Sequence, residues 1–294
     1  MTNEVTNELT HVKFERYVIG AAAIVCAGIL IAIALLGPLG FGLMEHRTSQ
    51  SVIYQTMGQD LVGVLLMAPL LLIGGFLHIV KREGSKYFLI LTPITLIYTG
   101  LSYGIGQEWS NVAYSGNIEN YFGLFVMLII GGLILGTSSL SMFDEKDAPD
   151  FNRRNLYIYA GLMSVFFLLF AMMWSSEVFE VIATGNTSSG SYASASTIFW
   201  TVRYLDLGIT IPLGYMVLYL LITRPKQAYP IILLFFGFFI TMGTAVNAMA
   251  IVSVLSGDPE VAGAAAAGLV IFPILGILAY AGLWYLIKNK IRRS

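Results

Sequence analysis

Arg203 and Asp206 stand three residues apart in an otherwise apolar run that also holds Gly208 and Pro212. On a helix, that spacing places an acid and a base on one face, close enough to pair across a single turn. A proline lacks an N–H and frees the carbonyl one turn earlier, here near Gly208. A charged side chain inside a membrane span costs about 2.5–3.5 kcal/mol on insertion scales, and irregular backbone at that depth persists only against protein or a water-filled cavity. The chemistry open to such a group is binding of an ion or solute, with gating by protonation of the carboxyl. The plain structural alternative is a clamp in which the two charges neutralise each other at the outer mouth of a bundle. Asp60 is the candidate partner of Asp206; Gln55, Gly58 and Gln59 precede it and place it near the outer boundary of its own span.

Weaker polar groups accompany these charges. Thr92, Thr95, Thr99 and Ser102 recur at three- and four-residue spacing with Tyr98 and Tyr103 beside them, and Thr241, Thr244 and Asn247 recur at every third residue. Such stripes either line a polar cavity or bond neighbouring helices, at about 0.6 kcal/mol per contact. The candidate ligand- or ion-binding set is therefore Asp60, Arg203, Asp206, Thr99, Thr241 and Asn247. No catalytic residue is assigned.

The elements that must position these residues are long apolar stretches. Eight are read, at about 17–37, 58–80, 87–106, 121–142, 155–175, 197–223, 229–254 and 262–287. Each suffices for a hydrocarbon core about 30 Å thick at about 1.5 Å per residue. The expected fold is all-α, a polytopic transmembrane bundle. Of the 16 Lys and Arg residues, all but Arg47 and Arg203 fall in alternate gaps. Basic residues beside span ends stay cytoplasmic, so both termini are expected inside, in the cell (plasma) membrane. The chain then divides into a cytoplasmic N-terminus (1–16), a first half of four spans (17–142), a cytoplasmic linker (143–154), a second half of four spans (155–287) and a basic cytoplasmic C-terminus (288–294). Asp60-Leu61…Pro69-Leu70, a basic turn and Tyr87 are echoed by Asp206-Leu207…Pro212-Leu213, a basic turn and Tyr229. With an even number of spans per half, such a duplication is parallel, with a pseudo-twofold along the membrane normal. Asn186-Thr187-Ser188 fits a glycosylation acceptor on the outer side, and the small-residue run Ala262 to Gly268 fits close packing of the last span.

Composition removes several classes. Hydrophobic residues make up 57% of the 294 and charged residues 11%, with a net charge of −1, which leaves no basic footprint for nucleic acid. The single cysteine, Cys26, lies within a span and allows no internal disulfide. Three histidines, two of them in gaps, are too few for paired haem ligation or a metal cluster, and neither a phosphate loop nor a serine elbow is present. No cofactor or metal is expected.

Two resemblances follow from these motifs. Gln59-Asp60-Leu61, Pro69-Leu70-Leu71-Leu72, Tyr98…Tyr103-Gly104 and Asp206-Leu207-Gly208…Pro212 resemble an uncharacterised prokaryotic family of multi-span integral membrane proteins; the likeness covers about half of the chain and implies architecture without an activity. Arg203-Tyr204-x-Asp206-x-x-x-Thr210-x-Pro212-Leu213 is similar to the third helix of microbial rhodopsins, where the Arg and Asp belong to a retinal counter-ion cluster. That family attaches retinal to a lysine midway along its last helix, and no span here carries a central lysine.

Three classes of function remain open. The first is binding or passage of a small solute, cation or proton within the bundle, favoured by acidic outer gaps. The second is a structural or assembly subunit with a protein partner or a second copy of itself. The third is an intramembrane enzyme on a lipid, which needs Asp60 and Asp206 to converge as an acid/base pair. Membrane lipid is the one partner common to all three.

Overall fold

In a computed structural model, which describes residues 2–185, 190–258 and 273–287, the chain is helical throughout, with no strand among the described residues. Seven helices are long and apolar enough to cross a membrane: α1 (Lys13–Leu36, the apolar part of a helix beginning at Thr2), α2 (Gln50–Ile79), α3 (Ser85–Ile105), α4 (Ile118–Leu140), α5 (Arg153–Thr184), α6 (Ser196–Thr223) and α7 (Tyr229–Leu255). A shorter apolar helix, α8 (Pro273–Ile287), follows. The chain is thus a multi-pass helical membrane protein. The glycosylation acceptor, the small-residue run and the basic C-terminus lie outside the described residues.

Helix ends follow local chemistry. α1 stops ahead of Gly37-Pro38, because the residue before a proline avoids the helical region. Ser49 caps α2, its hydroxyl accepting from the Val52 N–H. Asn152 caps α5 by accepting from the Arg154 and Asn155 N–H groups, and Gly185 ends it in the left-handed region at φ 60°. α5 therefore runs nine residues past the end read from sequence, and α2 starts eight earlier. The extra turns carry Glu177, Glu180 and Gln55, polar residues that suit a helix extended beyond the lipid or along an internal cavity.

α2 and α6 share an irregularity. Each has a π-helical turn, Gly63–Met67 in α2 and Asp206–Thr210 in α6, and a proline two residues past its end, Pro69 and Pro212. A proline ring collides with the carbonyl four residues back; the wide turn moves that carbonyl aside. In this register Asp60 corresponds to Arg203, since each lies three residues before its π turn. The two aspartates are thus not in equivalent positions.

The apolar side chains form two cores. One joins α1 to α4 through Ala23, Leu71, Leu96 and Leu128. The other joins α5 to α8 and is dense in phenylalanine, with Phe166, Phe167, Phe235, Phe236 and Phe239 around Ile232 and Tyr229. The first part of α2 crosses between them and packs on α7, while the first part of α6 packs on α3. Leu65, Phe76, Leu133, Leu162 and Met216 are exposed on the outer faces of their helices, as lipid contact requires. One end of the bundle carries the turns with Lys81, Arg82, Arg224 and Lys226 and is called the basic end here. There Lys86 pairs with Asp147 at 2.7 Å and Lys226 with Asp150 at 3.5 Å, which ties the segment 143–152 across both halves. The opposite end carries the segments 37–49 and 106–117 and is called the loop end.

Candidate functional site

The loop end is built from polar side chains that satisfy one another. The Arg47 guanidinium pairs with Glu119 at 2.6 Å, and the Arg47 N–H donates to Gln107 Oε1 at 2.8 Å. Gln107 Nε2 donates to the Tyr103 carbonyl at 3.0 Å and lies 3.2 Å from His46 Nδ1. The Glu108 carboxylate accepts from the Thr197 N–H at 2.6 Å and from the Ser196 hydroxyl at 3.2 Å, which places negative charge on the N-terminus of α6. The Ser51 hydroxyl donates to Asp258 at 2.6 Å. Gln107 and Glu108 are buried internal struts of this end.

Beneath this end lies a cavity of about 1040 Å³, walled by α2, α3, α5, α6 and α7 with Leu275 of α8. It reaches from Ser49, Tyr114 and Ser194 at the loop end down to Asp206, Thr210 and Phe238 near mid-bundle. The phenylalanine-rich core fills the space between its floor and the basic end. Glu177, Glu180 and Asp206 line it, and among the described residues no Lys or Arg does. Ser102 on α3 and Ser253 on α7 also line it, and each has a buried hydroxyl with no hydrogen-bond partner.

Asp206 opens the π turn of α6 and is 6% exposed. Trp174 Nε1 of α5 donates to its Oδ2 at 2.9 Å, and the Tyr98 hydroxyl of α3 donates to its Oδ1 at 3.3 Å. Thr210 of the same turn bonds it as well; a carboxylate offers about four acceptor positions, so these bonds orient a group that lines the cavity without filling all of them. Arg203, 7% exposed, does not line the cavity. Its guanidinium pairs with Glu177 of α5 and lies 4.2 Å from the Trp174 ring centre and 3.8 Å from that of Phe199. The two charges expected to pair across a helical turn each engage α5, Arg203 through Glu177 and Asp206 through Trp174.

The other predicted residues lie elsewhere. Asp60 is 4% exposed, buried rather than at the boundary, because the loop end folds over it. Its Oδ1 accepts from the Tyr103 hydroxyl at 2.8 Å, its Oδ2 has no partner, and it does not line the cavity. Each aspartate thus has its own tyrosine from α3, Tyr103 for Asp60 and Tyr98 for Asp206, and the two carboxylates do not share a chamber. Thr99 accepts from Gln59 Nε2 at 2.8 Å, and Thr241 meets Thr95 at 2.5 Å between α7 and α3. Asn247 donates to the Gly243 carbonyl of its own helix at 2.7 Å. These three act as helix-bonding groups behind the cavity wall. Trp174 and Glu177 were not among the sequence candidates. Their three-residue spacing on one face, an indole N–H beside a carboxylate, is the signal that finds them.

The chain matches no protein-family model, no curated protein and no solved structure.

Proposed function

We propose that this membrane protein binds a small solute inside its helix bundle and passes it across the cell membrane, with the loop end outside and Asp206 as the charged centre of the site. The observation that carries this reading is the cavity of about 1040 Å³ running from the loop end to a buried, oriented carboxylate. That volume lies at the upper end of the range, about 300–1,000 Å³, in which proteins enclose small molecules. Acidic lining raises the local concentration of cations over anions. The basic turns at the opposite end favour that end as cytoplasmic, with both termini there. The shared π turn and proline of α2 and α6 support a parallel repeat of four spans per half.

The test uses the single native cysteine to advantage, since Cys26→Ala gives a cysteine-free background. Val246→Cys, on the cavity wall, is expected to react in intact cells with a membrane-impermeant thiol reagent. If it stays unreactive while a cysteine on an outer loop is labelled, the interior is closed to solute and the protein is better read as an assembly subunit. Reaction from the loop side alone, under every condition tried, retains binding and removes passage.

A further inference from the structure

We infer that the solute is an organic cation with an apolar body, its charged centre seated at Asp206. This deepens the reading above and rests on it. The first ground is charge. Among the described residues the charged side chains that line the cavity are all acidic; Arg203 pairs with Glu177 at the wall, which leaves Glu180 and Asp206 as the lining carboxylates outside that pair.

The second ground is the wall itself. Trp174, Tyr98, Phe170 and Phe238 lie near the level of Asp206, with Phe199 about two helical turns nearer the loop end, and aromatic faces attract organic cations that shed water readily. The protein already uses this chemistry on itself. The Arg203 guanidinium, an organic cation, lies over Trp174 and Phe199 with a carboxylate at its edge. A small hydrated metal ion would gain little here, because hard cations need several oxygen ligands and no group of three or more His, Cys, Asp or Glu converges among the described residues.

The third ground is the remainder of the lining. Most of the surface lining the cavity is apolar, with Val202, Met242, Val246 and Met249 among its walls, which suits a hydrocarbon body rather than a bare ion. Polar groups interrupt it toward the loop end, among them Gln55, Thr56, Gln59, Ser102 and Ser253. The buried hydroxyls of Ser102 and Ser253 have no partner in the protein and lie nearer the loop end than Asp206 does. Their oxygens are buried, so the exposed polar side chain that a ligand with its cationic end at Asp206 would meet toward the loop end is Gln55.

The probe is tritiated tetraphenylphosphonium, a rigid lipophilic cation, applied to the detergent-purified full chain on beads with protein-free beads subtracted. The expected result is saturable binding, at least tenfold weaker in Asp206→Asn, and no saturable binding of radiolabelled tetraphenylborate, which has the same shape and the opposite charge, in a separate sample. Should Asp206→Asn fail to fold, a second measurement on native Asp206 decides: tetraphenylphosphonium slows labelling of Val246→Cys and tetraphenylborate does not. Absence of saturable binding, equal binding by a folded Asp206→Asn protein, or equal protection by the borate overturns the inference. Those outcomes leave the solute cavity standing if Val246→Cys is itself reactive, whereas an unreactive Val246→Cys removes the cavity reading.

Discussion

His46 lies in the segment between α1 and α2 yet is only 5% exposed, with its ring edge against Tyr103 at 5.5 Å between centres. Burial lowers its pKa from the ordinary 6.5 to about 4. Gln107 fixes the reason in geometry: its amide oxygen is taken by the Arg47 N–H, so its Nε2 must face His46 Nδ1, which accepts. Protonation would set two donors against each other. As pH falls below 6.5 the unfolded chain takes up the proton first, so the stability His46 contributes is complete above about 6.5 and is lost toward 4. The thermal midpoint of the purified protein is expected to fall with pH across that window, as the stability contributed by this group drops by up to about 1.4 kcal/mol per pH unit. His46→Gln is expected to lack that share; identical acid profiles would count against it. At this scale the sequence was partly legible. The spacing of Arg203 and Asp206 marked the right helix, but the Trp174 and Tyr98 bonds to Asp206 cross between α3, α5 and α6, and no local spacing encodes a meeting of residues 98, 174 and 206.

α2 and α7 approach so closely that a side chain at Gly58 would strike the backbone of Ala248 and Met249. The obstacle is main chain, which cannot rotate away. Gly58→Ala is expected to lower stability by about 1–3 kcal/mol, as overpacking does. Gly161 on α5 is exposed with nothing within 4 Å of an added methyl, so Gly161→Ala is expected to raise stability by about 0.5–1 kcal/mol by restricting the unfolded chain. Thermal unfolding of the two variants in one detergent checks both signs, and equal shifts would refute the close approach. The same scale shows why span limits were misread. A hydropathy pattern ends where Glu177 and Glu180 begin, but these turns face a protein-walled cavity rather than lipid, so α5 continues to its glycine stop. The π turns were foreshadowed by Pro69 and Pro212; their matching offsets, which pair Asp60 with Arg203, required backbone geometry.

The whole molecule is a bundle whose polar end and basic end differ in kind, and this asymmetry was the most legible property of the chain because it depends on composition rather than contact. Membrane class, helix number through α7 and the two apolar cores follow from long apolar runs; a cavity between them does not, since it is defined by space that side chains leave. Orientation gives a direct prediction. In the Cys26→Ala background, Val112→Cys in the exposed loop between α3 and α4 is expected to react with an impermeant thiol reagent on intact cells, and Lys226→Cys only after permeabilisation. The reverse pattern would invert the bundle. The uneven interior has an electrical consequence. With the loop end outside, as proposed, a vestibule wide enough for water would carry the potential of the outer solution inward, whereas the packed slab of Phe166, Phe167, Phe235 and Phe236 would behave as an insulator. Nearly all of the membrane voltage, about 2.3 kcal/mol per elementary charge per 100 mV, then drops across that slab. A cation resting at Asp206 has travelled halfway through the protein while crossing almost none of the field, so voltage would scarcely change its affinity and would act on the step through the aromatic floor.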